Sequence, residues 1–154
     1  MRRVTYIVVF LALVLTPVLA GQAVDLEGKI GTGPSFAVVA EGDISSSLSV
    51  AFSFGMEYEE QTPSATIFGL AGKCYFAPKD SQFVPYLGVG GYLKILPDST
   101  SEILVGGIAG ARLNLFSNAY LSGEAIYYAP IAPITDIAAA YLRFYLGAGI
   151  HIPF

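Results

Sequence analysis

The constraint that decides most about this chain is the length of its uncharged runs. Mean hydropathy is +0.61 and 54% of the residues are apolar, a membrane-protein profile. Yet beyond Ala20 no stretch free of Asp, Glu, Lys and Arg exceeds 13 residues, the length of Ile44–Met56 and of Ser81–Leu93. A membrane-spanning helix needs about 18 or more such residues. Within hydrocarbon the backbone must satisfy its own polar groups, which leaves helices and closed barrels as the only solutions. With helices excluded by length, the sequence predicts a barrel.

The rest of the chain is punctuated accordingly. Short Gly, Pro, Ser, Asp and Asn clusters divide eight strand-like segments: 23–31, 35–43, 48–59, 65–76, 83–96, 102–115, 119–128 and 137–154. Most reach the roughly 9–11 residues that a tilted strand needs to cross a bilayer, and the count is even. Period 2 is plain in the third segment. Leu48, Val50, Phe52, Phe54, Met56 and Tyr58 share one face, with Ser49, Ala51, Ser53, Gly55, Glu57 and Glu59 on the other. A slip of one residue would send every charge to the apolar side, so register is strongly specified. A soluble sandwich or lipocalin-like barrel also alternates, but its polar face meets bulk water and is dense in Lys and Glu. Here that face is rich in Gly, Ala, Ser and Tyr, as a narrow packed lumen requires.

The N-terminus reads as an export leader over residues 1–20. Arg2 and Arg3 precede an unbroken apolar run from Tyr6 to Leu15, and Val18-Leu19-Ala20 supplies a cleavage site. A transmembrane anchor fits less well, because the run is short and breaks at Thr16-Pro17. Residues 21–154 then form one barrel domain. The whole chain has 8 basic and 12 acidic residues and no basic cluster, which argues against nucleic-acid binding. The lone Cys74 cannot close an intrachain disulfide.

Three features then converge. The chain ends on Phe154 after alternating Ile150 and Ile152; Phe83-Val-Pro-Tyr-Leu-Gly-Val-Gly-Gly91 gives a Pro-Tyr-x-Gly-x-Gly strand; and a leader precedes both. With these the sequence resembles the small eight-stranded outer-membrane β-barrel family, to which the membrane domain of outer membrane protein A belongs. The resemblance implies an antiparallel up-and-down transmembrane barrel in a bacterial outer membrane. It further implies insertion by the barrel-assembly machinery, with Phe154, Ile152 and Ile150 as the assembly signal. Such a family shares an architecture more than an activity.

The same parity sends Asp25, Glu27, Lys29, Glu41, Asp43, Glu57, Lys73, Lys94, Arg112, Glu124, Arg143 and His151 into the lumen. Isolated buried charges are costly, so these must pair. Folding the sixth and seventh segments about Ser117 sets Arg112 diagonal to Glu124, with Arg143 approaching from the other side. The expected network therefore centres on Glu124 between two guanidiniums and includes Lys73, Glu41, Asp43 and Glu57. Lys94 and Glu102 are expected as cross-strand partners.

Catalysis has little to work with. His151 is the single histidine, near the periplasmic end, and the lumen serines Ser49 and Ser122 sit in no recognisable motif. One His and one lipid-facing Cys make no metal-ligand set, and no cofactor is expected. Gly88, Gly90, Gly91, Gly106, Gly107 and Gly110 lie inside strands with no helix to follow, which favours close packing over a nucleotide loop. External connections look short, and the apolar 129–136 segment is the best candidate for touching lipid or a partner. The sequence therefore predicts a monomeric, non-enzymatic outer-membrane barrel serving envelope integrity or surface interaction. Its surroundings are outer-membrane lipids and lipopolysaccharide; a narrow pore or a lipid-modifying enzyme are the alternatives.

Overall fold

A computed structural model describes residues 23–33, 35–60, 62–132 and 140–153. The leader 1–20, the terminal Phe154 and residues 133–136 of the 129–136 segment lie outside these residues. Eight strands follow in order: β1 (Ala23–Gly31), β2 (Ser35–Asp43), β3 (Leu48–Glu59), β4 (Thr62–Tyr75), β5 (Phe83–Ile95), β6 (Ser101–Phe116), β7 (Ala119–Ala132) and β8 (Tyr141–Pro153). Each pairs antiparallel with its sequence neighbours, and β1 pairs with β8, so the sheet closes into an up-and-down barrel. Closure leaves no strand edge unpaired.

The predicted faces are the observed ones. Along β1, Asp25, Glu27 and Lys29 are buried while Leu26 and Ile30 are exposed. On the outside, Ile30, Val89 and Leu146 are 73–75% exposed. Apolar side chains point outward from every strand, a surface that only a bilayer covers. Among the described residues no helix is long and apolar enough to cross a membrane. Leu146→Arg, near the middle of β8, is accordingly expected to cost about 2–4 kcal/mol, read from urea unfolding in lipid vesicles. A cost near zero would mean that this face is not in hydrocarbon.

The sequence-derived boundaries hold for β1, β2 and β3. β4 starts earlier, at Thr62, so the predicted 60–64 loop is shorter than expected; β7 runs on to Ala132 and β8 starts later than predicted, at Tyr141, so the predicted 129–136 connection is displaced along the chain. Pro63 and Pro130 suggested breaks, but both sit beside register shifts, between Glu57 and Tyr58 and between Ile103 and Leu104. A bulge there accommodates a residue without an N–H.

One device accounts for the many tyrosines and glycines inside. Tyr86 lies directly opposite Gly110, Tyr92 opposite Gly69, Tyr145 opposite Gly31 and Tyr120 opposite Gly149. In each pair a Cβ on the glycine would overlap the tyrosine ring, so the ring lies flat over its neighbour's bare backbone. Four rings laid down in this way cover glycine backbone and fill a narrow lumen at once.

Candidate functional site: the lumen

The lumen is where every polar candidate in the sequence goes. We call the end holding Ala23 and Pro153 the near end, and the other the far end. Apart from Arg2 and Arg3 the chain has six Lys and Arg, namely Lys29, Lys73, Lys79, Lys94, Arg112 and Arg143. All six turn inward, and none of their side chains is more than 19% exposed. They meet six carboxylates, Asp25, Glu27, Glu41, Asp43, Glu57 and Glu124. These six pairs of opposite charge balance, and other acids of the described residues lie outside them. Glu59, Glu60, Asp80 and Asp98 are exposed.

The pairs form a continuous chain through the near and middle thirds. His151 Nδ1 lies 2.7 Å from Asp25. Arg112 reaches Asp25 at 2.8 Å and stacks over the Tyr120 ring, 3.8 Å from its centroid. Glu41 accepts from Ser49 at 2.8 Å and from Tyr75, and pairs with Lys73 at 3.1 Å. Lys73 continues to Glu124 at 3.3 Å, and Lys29 donates to the other Glu124 oxygen at 2.8 Å. Tyr86 donates to Glu124 at 2.9 Å, and Ser122 donates to Glu27 beside Lys29.

Glu124 is therefore central, but its partners are not those expected. Two lysines and a tyrosine hold it, not Arg112 and Arg143. Arg112 does sit diagonal to Glu124 in register, yet its guanidinium turns to Asp25 on the opposite wall. Arg143 goes to the far end and pairs with Glu57 at 2.7 Å. Lys94 stands opposite Glu102 as expected, but its ammonium takes Glu57 at 3.0 Å instead. Reasoning along one sheet finds neighbours; it does not find groups that meet across a lumen a lysine can span.

Between the two charge clusters lies an apolar and aromatic layer that includes Leu104, Ile126, Tyr92, Tyr128 and Tyr145. Leu104 is 1% exposed and stands opposite Tyr92, one lumen position short of Lys94 on β5. A cavity of about 40 Å³ remains inside, touching Lys29, Ser35, Lys73 and Glu124.

One functional residue escaped the sequence reading. Lys79 belongs to the β4–β5 connection, which looked like an ordinary turn, but it folds inward. Its ammonium contacts Asp25 at 3.2 Å, Glu41 at 2.7 Å and Asp43. Those three carboxylates lie within 4.8 Å of one another, a spacing suited to a cation, and the Lys79 ammonium contacts all three. Burial opposes the charge on Lys79, but Glu41, Asp25 and its hydrogen bonds to Asp43 and Glu41 outweigh it and raise its pKa. A raised lysine stabilises fully below the unfolded value near 10.4 and loses that contribution only as pH rises through the folded value. The stability difference between wild type and Lys79→Met is thus expected to stay constant from neutral pH to about pH 10 and to shrink above it. Urea midpoints across that range check this, and a difference already falling below pH 9 would contradict it.

The serines weighed for catalysis are committed elsewhere. Ser49 donates to Glu41, Ser122 to Glu27, and His151 faces Asp25. Of the residues expected to form the assembly signal, Ile150 is 49% exposed on the outer face and Ile152 is partly covered opposite Val24.

A closed eight-stranded antiparallel barrel with an apolar exterior and a side-chain-filled core is the fold of the small outer-membrane barrels. The solved structures agree. The N-terminal β-barrel domain of Pseudomonas aeruginosa OprF matches with a TM-score of 0.72 at 14% identity, over 86% of this chain and 98% of that one. Neisserial surface protein A matches with a TM-score of 0.53 at 19% identity, over 86% of this chain and 95% of that one. At such identities the likeness establishes the fold alone. No protein-family model and no curated protein matches the chain.

Proposed function

We propose that this chain is an integral protein of a bacterial outer membrane, non-enzymatic, with a closed lumen, serving envelope integrity or surface interaction. The observation that carries the reading is the partition of charge. All six basic side chains beyond the leader are spent inside, matched by six carboxylates and backed by a tyrosine and isoleucine layer. Charges arranged to neutralise one another behind such a layer fill space and fix register; they leave no free path for ions. The near end, which holds Ala23 and Pro153, faces the periplasm, and the far end faces outward. Outer-membrane lipids and lipopolysaccharide surround the barrel, and the barrel-assembly machinery reads Ile150, Ile152 and Phe154 during insertion. Glu59, Glu60 and Asp98 are exposed at the far rim. The chain acts as a monomer.

Planar-bilayer recording tests the closed lumen. The expected trace shows no steady open level; reproducible single-channel steps from the purified barrel would replace this reading with that of a narrow pore. Lipid A and phospholipid profiles with and without the gene are expected to be the same, and a changed profile would indicate lipid-modifying chemistry.

A further inference from the structure

Antiparallel strands can be joined by two residues. At the near end β6 and β7 are joined by Ser117 and Asn118 alone, and β2 and β3 by Ile44–Ser47. These connections are exposed. The β4–β5 connection, 76–82, is the longest of the three, and it does not stay on its own wall. In the ring of strands β5 lies opposite β1, so when Lys79 reaches Asp25 on β1 and Glu41 and Asp43 on β2 it crosses the mouth. The turn's backbone is tied separately. The Asn114 side chain on β6 donates to the carbonyls of Lys79 at 2.7 Å and Ser81 at 2.6 Å, and the Asn114 N–H donates to Gln82 at 2.9 Å.

We propose that the β4–β5 turn is a latch across the periplasmic mouth of the lumen, hinged on β6 by Asn114 and fastened to β1 and β2 by Lys79. A vestibule of about 480 Å³ opens beside it, lined by Asp43, Arg112, Asn114, Tyr120 and His151, and Lys79 forms part of its wall. Beyond the latch lie Glu41 and Ser49, each 2% exposed. The fastening is electrostatic and single. Asp25, Glu41 and Asp43 lie within 4.8 Å of one another, and their repulsion is offset from within the walls by Arg112 and His151 at Asp25 and by Lys73 at Glu41. Lys79 is the cation that the turn itself brings to them, so with Lys79 neutralised the turn keeps only its hinge. The latch governs the near half of the lumen and the tyrosine layer closes the far half independently, so this inference goes beyond the closed-lumen reading; only the assignment of the mouth to the periplasm rests on the proposed function.

Thiol accessibility behind the latch tests it. Cys74 is exposed on the outer face, so Cys74→Ala removes the competing thiol, and Ser49→Cys places a reporter behind Lys79. The full chain is refolded into lipid vesicles, its folding is confirmed by a heat-dependent shift on gels, and it is treated with a charged, membrane-impermeant methanethiosulfonate. Ser117→Cys, in the exposed β6–β7 turn, reports the unprotected rate. The Ser49→Cys thiol is expected to react much more slowly than that control, and Lys79→Met to accelerate it about tenfold or more, with Lys79→Arg restoring protection. If Lys79→Met gives no folded band, Asn114→Ala releases the hinge instead and is expected to accelerate the reaction in the same direction. Protection unchanged in the folded variants, or fast labelling already present in the parent, overturns the latch.

Discussion

Gly110→Val is expected to abolish the folded barrel, whereas Gly107→Val, three residues earlier on the same strand, is expected to leave it intact. Both residues lie on β6 in a run of small side chains, and composition does not separate them. Their faces do. A Cβ at Gly110 would sit 2.6 Å from the Tyr86 ring and 2.8 Å from the backbone oxygen of Gly123. The backbone cannot retreat, because it is bonded on both sides in a closed sheet. Nor can the ring, because Tyr86 donates to Glu124 and lies against Lys73, whose ammonium is 4.8 Å from the ring centroid. A valine therefore displaces both a filler and a partner of the central carboxylate, which takes it beyond the roughly 1–3 kcal/mol of ordinary overpacking. A Cβ at Gly107 meets nothing within 4 Å. Comparable folded fractions on unheated gels for the two variants would show that tyrosine-over-glycine packing does not hold the barrel.

Glu124→Gln is expected to lower the unfolding free energy by about 3–5 kcal/mol, the usual penalty for breaking a buried pair from one side. Glu124 is 5% exposed and lies between Lys29 and Lys73, each itself buried. Glutamine keeps the shape but removes the charge, and its amide NH₂ turns a donor toward an ammonium. Lys29 is then left with Glu27 at 3.6 Å, and Lys73 with Glu41. Glu59→Gln at the exposed rim changes stability by no more than about 0.5 kcal/mol. Urea midpoints in vesicles separate the two, and equal midpoints would mean that the lumen charges are not energetically buried.

These two residues also mark what the sequence discloses and what it withholds. Face assignment is local: with side chains alternating at every residue, Leu48 to Glu59 declares both its faces without reference to any other strand. The inward charges and the apolar outer face follow from that alone. Glu124 as a lumen carboxylate was legible for the same reason. Its partners were not, because Lys29 and Lys73 come from β1 and β4, and their long stems cross the lumen in a direction that strand tilt decides. Lys79 was hidden more completely. Nothing in Ala77–Gln82 marks a turn that bends inward; the signal lay in its length beside the two-residue turn at Ser117, and in Asn114, a polar lumen residue that the charge inventory omitted. The bounds of β4 and β7 were less legible, because Pro63 and Pro130 sit in strands where a bulge removes the need for an N–H.

The central claim is a closed barrel in an outer membrane with its charges sealed inside. Envelope fractions run on gels with and without boiling test fold and location together. The account predicts that the chain is found in the outer-membrane fraction and migrates faster unheated than boiled, because a barrel that closes β1 on β8 stays compact in detergent. A single band indifferent to heating, or recovery in the soluble or inner-membrane fraction, would contradict it.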